Sequence, residues 1–124
     1  MKYSFHFNED EDEDEDENDC IEFTSFEKLK KIKNYNKIKY IDCSCSKLNS
    51  VPDLPLELIS FMCYNNKLTV LPKLPISLVH LGCNFNQLEC LPELPLSLES
   101  LDCCNNNIKT YPDTIKFLKY LCSD

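Results

Sequence analysis

The chain has 124 residues, 43% of them hydrophobic, and a formal net charge of −8 at pH 7. It contains no run of about eighteen apolar residues that could span a membrane, and its N-terminus lacks the apolar stretch of a secretory signal. With a single glycine it cannot build a glycine-rich phosphate-binding loop. The composition therefore predicts a soluble, intracellular, cytoplasmic protein with no membrane partner.

The first predicted segment is an acidic tail at residues 1–19. Ten of the 21 acidic residues lie between residues 9 and 19, so residues 20–124 carry a net charge of about +1. Like charges without apolar residues between them repel one another, which predicts disorder. Three roles fit such a tail: keeping the chain in solution, binding a basic partner, or collecting calcium weakly. The aromatic alternation of residues 3–7 also allows a short edge strand.

The second predicted segment is an N-terminal cap at residues 20–37. Thr24 followed three residues later by Glu27 is a capping-box pattern. Apolar residues also recur at helical spacing on one face: Phe26, Leu29 and Ile32. A short amphipathic helix over residues 24–32 is therefore expected to cover the segment that follows. A second interpretation treats residues 21–23 as a degenerate preceding strand, and the two are compatible if the strand comes first.

Residues 38–124 contain four copies of a 20-residue repeat and the beginning of a fifth. Two residue types mark the interval: Cys43, Cys63, Cys83 and Cys103, and Pro52, Pro72, Pro92 and Pro112. The shared pattern is L-x-x-L-x-C-x-x-N-x-L-x-x-L-P-x-L-P-x-S. A fixed period of this length indicates a stacked array, in which neighbouring copies bury a continuous core that no single copy could bury alone.

Each copy predicts one short strand followed by an extended return. Leu81 and Cys83 alternate with outward residues, and Asn86 is suited to bind the backbone of the bend that follows. Pro92 and Pro95 fix φ and remove two N–H donors, which excludes a regular helix there and favours a polyproline-like return. Parallel strands are therefore expected on the concave face and extended chain on the convex side.

The repeat pattern resembles the short, bacterial-type leucine-rich repeat of secreted effector proteins, with cysteine in place of the usual aliphatic residue. The resemblance covers residues 38–121 and implies an α/β repeat fold, a leucine-rich-repeat solenoid. In the fourth copy, residues 114–116 replace the second Leu-Pro and look like the longer repeat class, which makes a helical turn. Effector ligases with this repeat hold their catalytic cysteine in a separate C-terminal domain. The resemblance thus implies binding without an enzyme, with the host-cell cytoplasm as one possible place of action.

Nine cysteines raise the question of disulfides or metal sites. The four in repeat register should form a straight ladder with a step of about 4.8 Å, which neither converges on one ion nor brings Cβ atoms within bonding range. They are predicted to be buried free thiols. The other five are Cys20, Cys45, Cys90, Cys104 and Cys122, and the odd total favours a reducing compartment. The prediction is no metal and no cofactor.

The outward strand positions are predicted to form the binding face of a non-catalytic protein–protein interaction module. Its residues are Tyr40, Asp42, Met62, Tyr64, His80, Asn84, Phe85 and Asp102. The centre of this face combines aromatic and soft apolar side chains, as protein-binding hot spots do, and Gly82 should leave a dip beside them. The partner is expected to be a protein and not a nucleic acid. Alternatives are an ordinary solvated sheet in a structural or degenerate repeat protein, and a cysteine-based metal or redox protein.

Overall fold

The structure is a computed structural model that describes residues 1–5 and 20–124. Its strands are β1 (Lys2–Ser4), β2 (Ile21–Glu22), β3 (Tyr40–Asp42), β4 (Ser60–Met62), β5 (His80–Gly82), β6 (Ser100–Asp102) and β7 (Tyr120–Cys122). One short helix, α1 (Phe26–Leu29), and two 3₁₀ turns, Tyr35–Lys37 and Asp113–Phe117, lie between them. The strands of the described residues form one sheet in the order β2, β1, β3, β4, β5, β6, β7.

The repeat interval sets the register of the parallel strands. From β3 to β7 each strand pairs in parallel with the next, and residues 20 positions apart are direct partners. Leu81 therefore lies between Phe61 and Leu101. The predicted leucine-rich-repeat solenoid, with parallel strands on its concave face and an extended return on the other side, is confirmed.

The inward positions of the strands form a core of stacked columns. The strand columns are Ile41, Phe61, Leu81 and Leu101, and Cys43, Cys63, Cys83 and Cys103, all at most 2% exposed. The returning chain adds buried leucines at the same interval, among them Leu54, Leu74 and Leu94. Burying one such leucine contributes about 1.5–3 kcal/mol, and only the neighbouring repeats provide the surface that covers it.

An asparagine column closes the bends after β4, β5 and β6. The Nδ2 of Asn86 donates to the carbonyls of Cys63 and Cys83, both at 3.0 Å, and its Oδ1 accepts from the Leu68 N–H at 3.0 Å. Asn66 and Asn106 make the equivalent bonds. One side chain thus satisfies backbone groups of two adjacent repeats. The sequence predicted only the bond of Asn86 to the bend of its own repeat.

The N-terminal end differs from the predicted tail. Lys2–Ser4 form β1, which pairs antiparallel with both β2 and β3 and is therefore not an edge strand. Tyr3 is buried, and its ring contacts those of Phe5 and Phe23. Burial of these rings explains why the chain pairs here although an acidic run follows. The predicted disordered tail is thus wrong for residues 1–5, and its acidic run lies outside the described residues.

The helix α1 lies within the predicted range of residues 24–32, but its N-cap lies one residue later than expected. Its N-cap is Ser25, whose Oγ accepts from the Lys28 N–H at 3.2 Å, so Thr24 is not the capping residue. Phe26 is buried against Phe23. β2 precedes the helix, as the second interpretation expected, but it runs antiparallel and is not a preceding repeat. The role of residues 20–37 as the cap of the array stays a prediction.

The last repeat departs from the others in the way its sequence predicted. The 3₁₀ turn Asp113–Phe117 replaces the extended Leu-Pro return at residues 114–116. Leu121 of β7 is 45% exposed, whereas its counterpart Leu101 is 2% exposed. Within the described residues β7 is paired on one side only. Among residues 1–5 and 20–124, no helix has the length and apolar character needed to span a membrane.

Candidate functional site

The outward residues of the parallel strands form two rows across the concave face. The first row is Tyr40, Ser60, His80, Ser100 and Tyr120, and the second is Asp42, Met62, Gly82, Asp102 and Cys122. Five of the predicted site residues therefore share one continuous surface: Tyr40, Asp42, Met62, His80 and Asp102. The strand alternation predicted their placement, and their role in binding stays a prediction.

The other three predicted residues, Tyr64, Asn84 and Phe85, follow the strand ends. The side chains of Tyr64 and Phe85 are 37% and 55% exposed. Phe85 has a φ of 55°, in the left-handed region, where the other repeats carry Cys45, Asn65 and Asn105. Asparagine tolerates this backbone, but a bulky side chain is strained there.

The strained backbone of Phe85 is held by two hydrogen bonds to neighbouring repeats. Its N–H donates to the Cys104 carbonyl at 2.9 Å, and its carbonyl accepts from the Asn66 N–H at 3.2 Å. The solenoid therefore fixes the conformation that the side chain disfavours. The result is a large aromatic ring held toward solvent beside the concave rows. The sequence signal for this feature was the alignment of Phe85 with Asn65 and Asn105.

The dip that the sequence predicted at Gly82 is partly filled by a neighbouring side chain. A Cβ built on Gly82 would lie 2.7 Å from the Sδ of Met62, and Gly82 is itself buried. The thioether of the neighbouring strand fills the space beside the glycine, because methionine is long and flexible enough to reach it. Gly82 and Met62 both line a shallow groove of about 650 Å³ that extends to β7. Its lining also includes Tyr64, Asn84, Ser100, Asp102, Lys119 and Tyr120.

Carboxylates stand on both sides of this apolar centre and are held by the backbone. Asp42 Oδ1 accepts from the Ser44 N–H at 3.0 Å, and Asp102 Oδ1 accepts from the Cys104 N–H at 3.2 Å. The Tyr40 hydroxyl lies 3.5 Å from the Asp42 carboxylate. Burial, followed by the charge of Asp42, raises the pKa of Tyr40 to about 12, so this hydroxyl stays protonated at neutral pH.

Cys43, Cys63, Cys83 and Cys103 form the predicted ladder of buried free thiols. Burial raises the pKa of Cys43 to about 12 and that of Cys63 well above its usual value. The thiolate is the form that attacks electrophiles and binds metals. At neutral pH the ladder therefore has no reactive form, and its chemistry is that of small apolar side chains.

Cys104 and Cys122, two of the five cysteines outside the ladder, are joined by a disulfide that the sequence pattern did not predict. Cys122 lies in β7 opposite Asp102, and Cys104 follows Asp102 by two residues. This diagonal places the two Cα atoms 6.0 Å apart, within the range of disulfides. The signal was available in the sequence: both positions face outward, and their separation of 18 residues departs from the ladder interval of 20.

Comparison with known proteins gave matches among solved structures. No protein-family model matches the chain, and no curated protein matches it. It is similar to a Shigella effector leucine-rich-repeat domain, with 36% identity and a TM-score of 0.67 over 69% of this chain and 39% of that one. It is also similar to YopM from Yersinia enterocolitica WA-314, with 38% identity and a TM-score of 0.62 over 63% of this chain and 17% of that one.

This chain thus spans well under half the length of either structure. Three features of this chain organise its fold as a leucine-rich repeat. These are the 20-residue register, the inward leucines and the asparagine column. The chain belongs to the leucine-rich-repeat proteins, with the short repeat of the bacterial effector type.

Proposed function

We propose that this leucine-rich-repeat module binds a protein partner through its concave face, acting by contact and not by catalysis. The observation that supports this most is the uncharged centre of the face, where Met62 and Tyr64 line one groove and the exposed Phe85 follows the end of β5. Methionine and aromatic residues are enriched at the centres of protein interfaces. The backbone of Phe85 has a strained, left-handed conformation, and backbone strain of this kind is concentrated at functional sites.

The face is rigid where it needs to present side chains and adaptable in one place. The strand residues are fixed by the backbone hydrogen bonds of the sheet and by the side-chain bonds of Asn66 and Asn86. Binding a partner would therefore cost little backbone conformational entropy. Met62 is the flexible element, because its thioether can move away from Gly82 to admit a partner side chain.

The charges of the face favour a particular kind of partner. Asp42 and Asp102 flank the apolar centre, and the two outward rows contain no lysine or arginine. The lysine that lines the groove, Lys119, is paired with Glu99 at 3.0 Å. A protein segment with an apolar anchor and flanking basic residues fits this arrangement, whereas nucleic-acid phosphates would meet carboxylates. The likeness to effector domains supports action inside a host cell as part of this proposal.

The test is affinity capture from a eukaryotic host-cell lysate with the full chain as bait. Two concave-face variants are compared with the wild type: Tyr64→Ala with His80→Ala, and Phe85→Asn. The second is informative because asparagine suits a φ of 55°, so the variant should be at least as stable as the wild type. Both variants should lose the captured partner while keeping the circular dichroism spectrum of the folded protein.

Two controls separate the concave face from other surfaces. Ile76→Ser changes a side chain that is 87% exposed in the returning chain, and it should capture the partner as the wild type does. A second control replaces the acidic residues of segment 9–19 with serine, which leaves β1 in place. Loss of capture in this control alone, with full capture by both concave-face variants, would assign binding to the acidic segment instead.

A further inference from the structure

Three potential metal ligands converge at the β7 end of the concave face. A carboxylate oxygen of Asp102 and the sulfurs of Cys104 and Cys122 all lie within 4.8 Å of one another. Asp102 and Cys122 are direct register partners on β6 and β7, and Cys104 is two residues beyond Asp102. The cluster therefore belongs to two adjacent strands whose spacing is fixed by the sheet.

We propose that these three residues bind a thiophilic divalent cation of the zinc class when the Cys104–Cys122 disulfide is reduced, and that oxidation closes the site. Zinc takes sulfur at about 2.3 Å and carboxylate oxygen at about 2.0–2.2 Å in a tetrahedral arrangement. Neighbouring ligand atoms around such an ion are less than about 4 Å apart, so small side-chain rotations suffice. A water molecule would complete the four ligands.

The surroundings of the cluster differ from those of the buried ladder in the ways that metal binding requires. Cys122 is exposed and Cys104 is half-buried, so both sulfurs are accessible to ions and to redox partners. Asp102 Oδ1 accepts from the Cys104 N–H at 3.2 Å, which orients the carboxylate toward the same turn. The ladder cysteines lie in direct register and are buried, so they offer neither convergence nor access.

The redox step is thiol–disulfide exchange with a small-molecule thiol or disulfide. In the oxidising direction the Cys104 thiolate attacks a small disulfide and releases one thiol, and the Cys122 thiolate then displaces the second thiol. Two protein thiols and one small disulfide thus become one protein disulfide and two small thiols. Two electrons pass to the small molecule, and the bound cation loses both of its sulfur ligands.

The experiment uses the full chain, reduced with a phosphine and kept free of oxygen, and titrated with Co²⁺ as a spectroscopic probe. Cys20, Cys45 and Cys90 are replaced by serine in all samples to remove the other exposed thiols. The reduced protein should bind one equivalent of Co²⁺ with thiolate-to-cobalt absorption, and Zn²⁺ should displace it. The oxidised protein should show no such absorption.

Three variants identify the ligands. Cys104→Ser and Cys122→Ser should each abolish or strongly reduce the thiolate absorption. The matched reference for folding is the reduced protein that carries only the three serine substitutions at Cys20, Cys45 and Cys90. Asp102→Asn keeps an oxygen that accepts from the Cys104 N–H but removes the charge, and it should weaken Co²⁺ binding about tenfold or more.

Several results would overturn the site. These are the absence of thiolate-to-cobalt absorption in the reduced protein, equal binding by the oxidised protein, and persistence of the absorption after both cysteines are replaced. Unchanged affinity in Asp102→Asn would remove the carboxylate from the ligand set and with it the proposed three-residue site. None of these readouts depends on a protein partner, so the proposal stands or falls separately from binding at the concave face.

Discussion

The same inward repeat position is buried at one end of the sheet and partly exposed at the other. Ile41, the inward residue of β3, is fully buried, with β1 paired beside its strand. Leu121, its counterpart on β7, is 45% exposed. Each repeat supplies only part of the surface that covers its neighbour, so an inward leucine is buried where a strand lies on both sides. The comparison shows that burial here is a property of position in the stack, not of residue type.

The means of holding the two ends also differ. At the N-terminal end, antiparallel strands and the rings of Tyr3, Phe23 and Phe26 add apolar contact. At the other end, the disulfide between Cys104 and Cys122 ties β7 to β6. Closing a loop of this length contributes roughly 3 kcal/mol by restricting the unfolded chain. One end is thus held by packing and the other by a covalent bond whose contribution depends on redox conditions.

The largest expected difference in unfolding free energy is between two substitutions at the same repeat position. One places a carboxylate in the middle of the stack and the other places it at the end. Leu81→Asp buries an unpaired charge and should cost about 3–5 kcal/mol of unfolding free energy, enough to unfold the array. Leu121→Asp should cost less than about 1 kcal/mol, because its carboxylate reaches water. Urea unfolding followed by circular dichroism measures both.

A neighbouring substitution serves as the control for strand register. Gly82→Ala faces outward and requires only the tip of Met62 to move, so it should cost less than about 1 kcal/mol. Similar losses in Leu81→Asp and Gly82→Ala would show that the inward and outward faces are assigned wrongly.

An intermediate effect is expected from removing one tyrosine at each end. Tyr3→Ala should cost roughly 2–4 kcal/mol, because Tyr3 is buried among aromatic rings. Tyr120→Ala should change the unfolding free energy by less than about 0.5 kcal/mol, because Tyr120 is 70% exposed. Thermal and urea unfolding of the two variants give the comparison. Equal costs would mean that β1 adds no more packing than the exposed end does.

A loss of stability at alkaline pH distinguishes the core from the surface. The pKa of Cys43 is raised from 9.0 to about 12 in the folded protein, and that of Cys63 is raised as well. The unfolded state therefore loses these protons first, so stability is complete below about pH 9 and falls as pH rises toward 12. Each buried thiol should contribute up to about 1.4 kcal/mol per pH unit.

The measurement is the unfolding free energy in urea from about pH 8 to about pH 10.5, where native protein and variants can be compared. Cys63→Ala should reduce the slope of unfolding free energy against pH by the contribution of one thiol. It also lowers the stability at every pH. Cys45→Ala replaces an exposed thiol and should leave the slope unchanged. An equal slope in the two variants would contradict the burial of the ladder.

The sequence alone predicted most of the repeat region correctly. The inward direction of Leu81 and Cys83 and the bond of Asn86 to its bend followed from local pattern. The helical turn near residues 114–116 followed from the resemblance to the longer repeat class. A three-residue strand is a weak signal by itself. Four copies in phase strengthen it, because the 20-residue period must also be the register of the parallel sheet. The outward placement of the concave-face residues follows from the same register.

Only the tertiary structure decided the features that depend on which neighbour the fold supplies. β1 pairs with β3 across a wide sequence separation, and no local periodicity encodes that choice. Met62 covers Gly82, and Cys104 reaches Cys122, because side chains of adjacent strands meet across the sheet in ways that the pattern of one strand does not contain. The period is a property of the chain, whereas these contacts are properties of pairs of segments, and folding alone brings such pairs together.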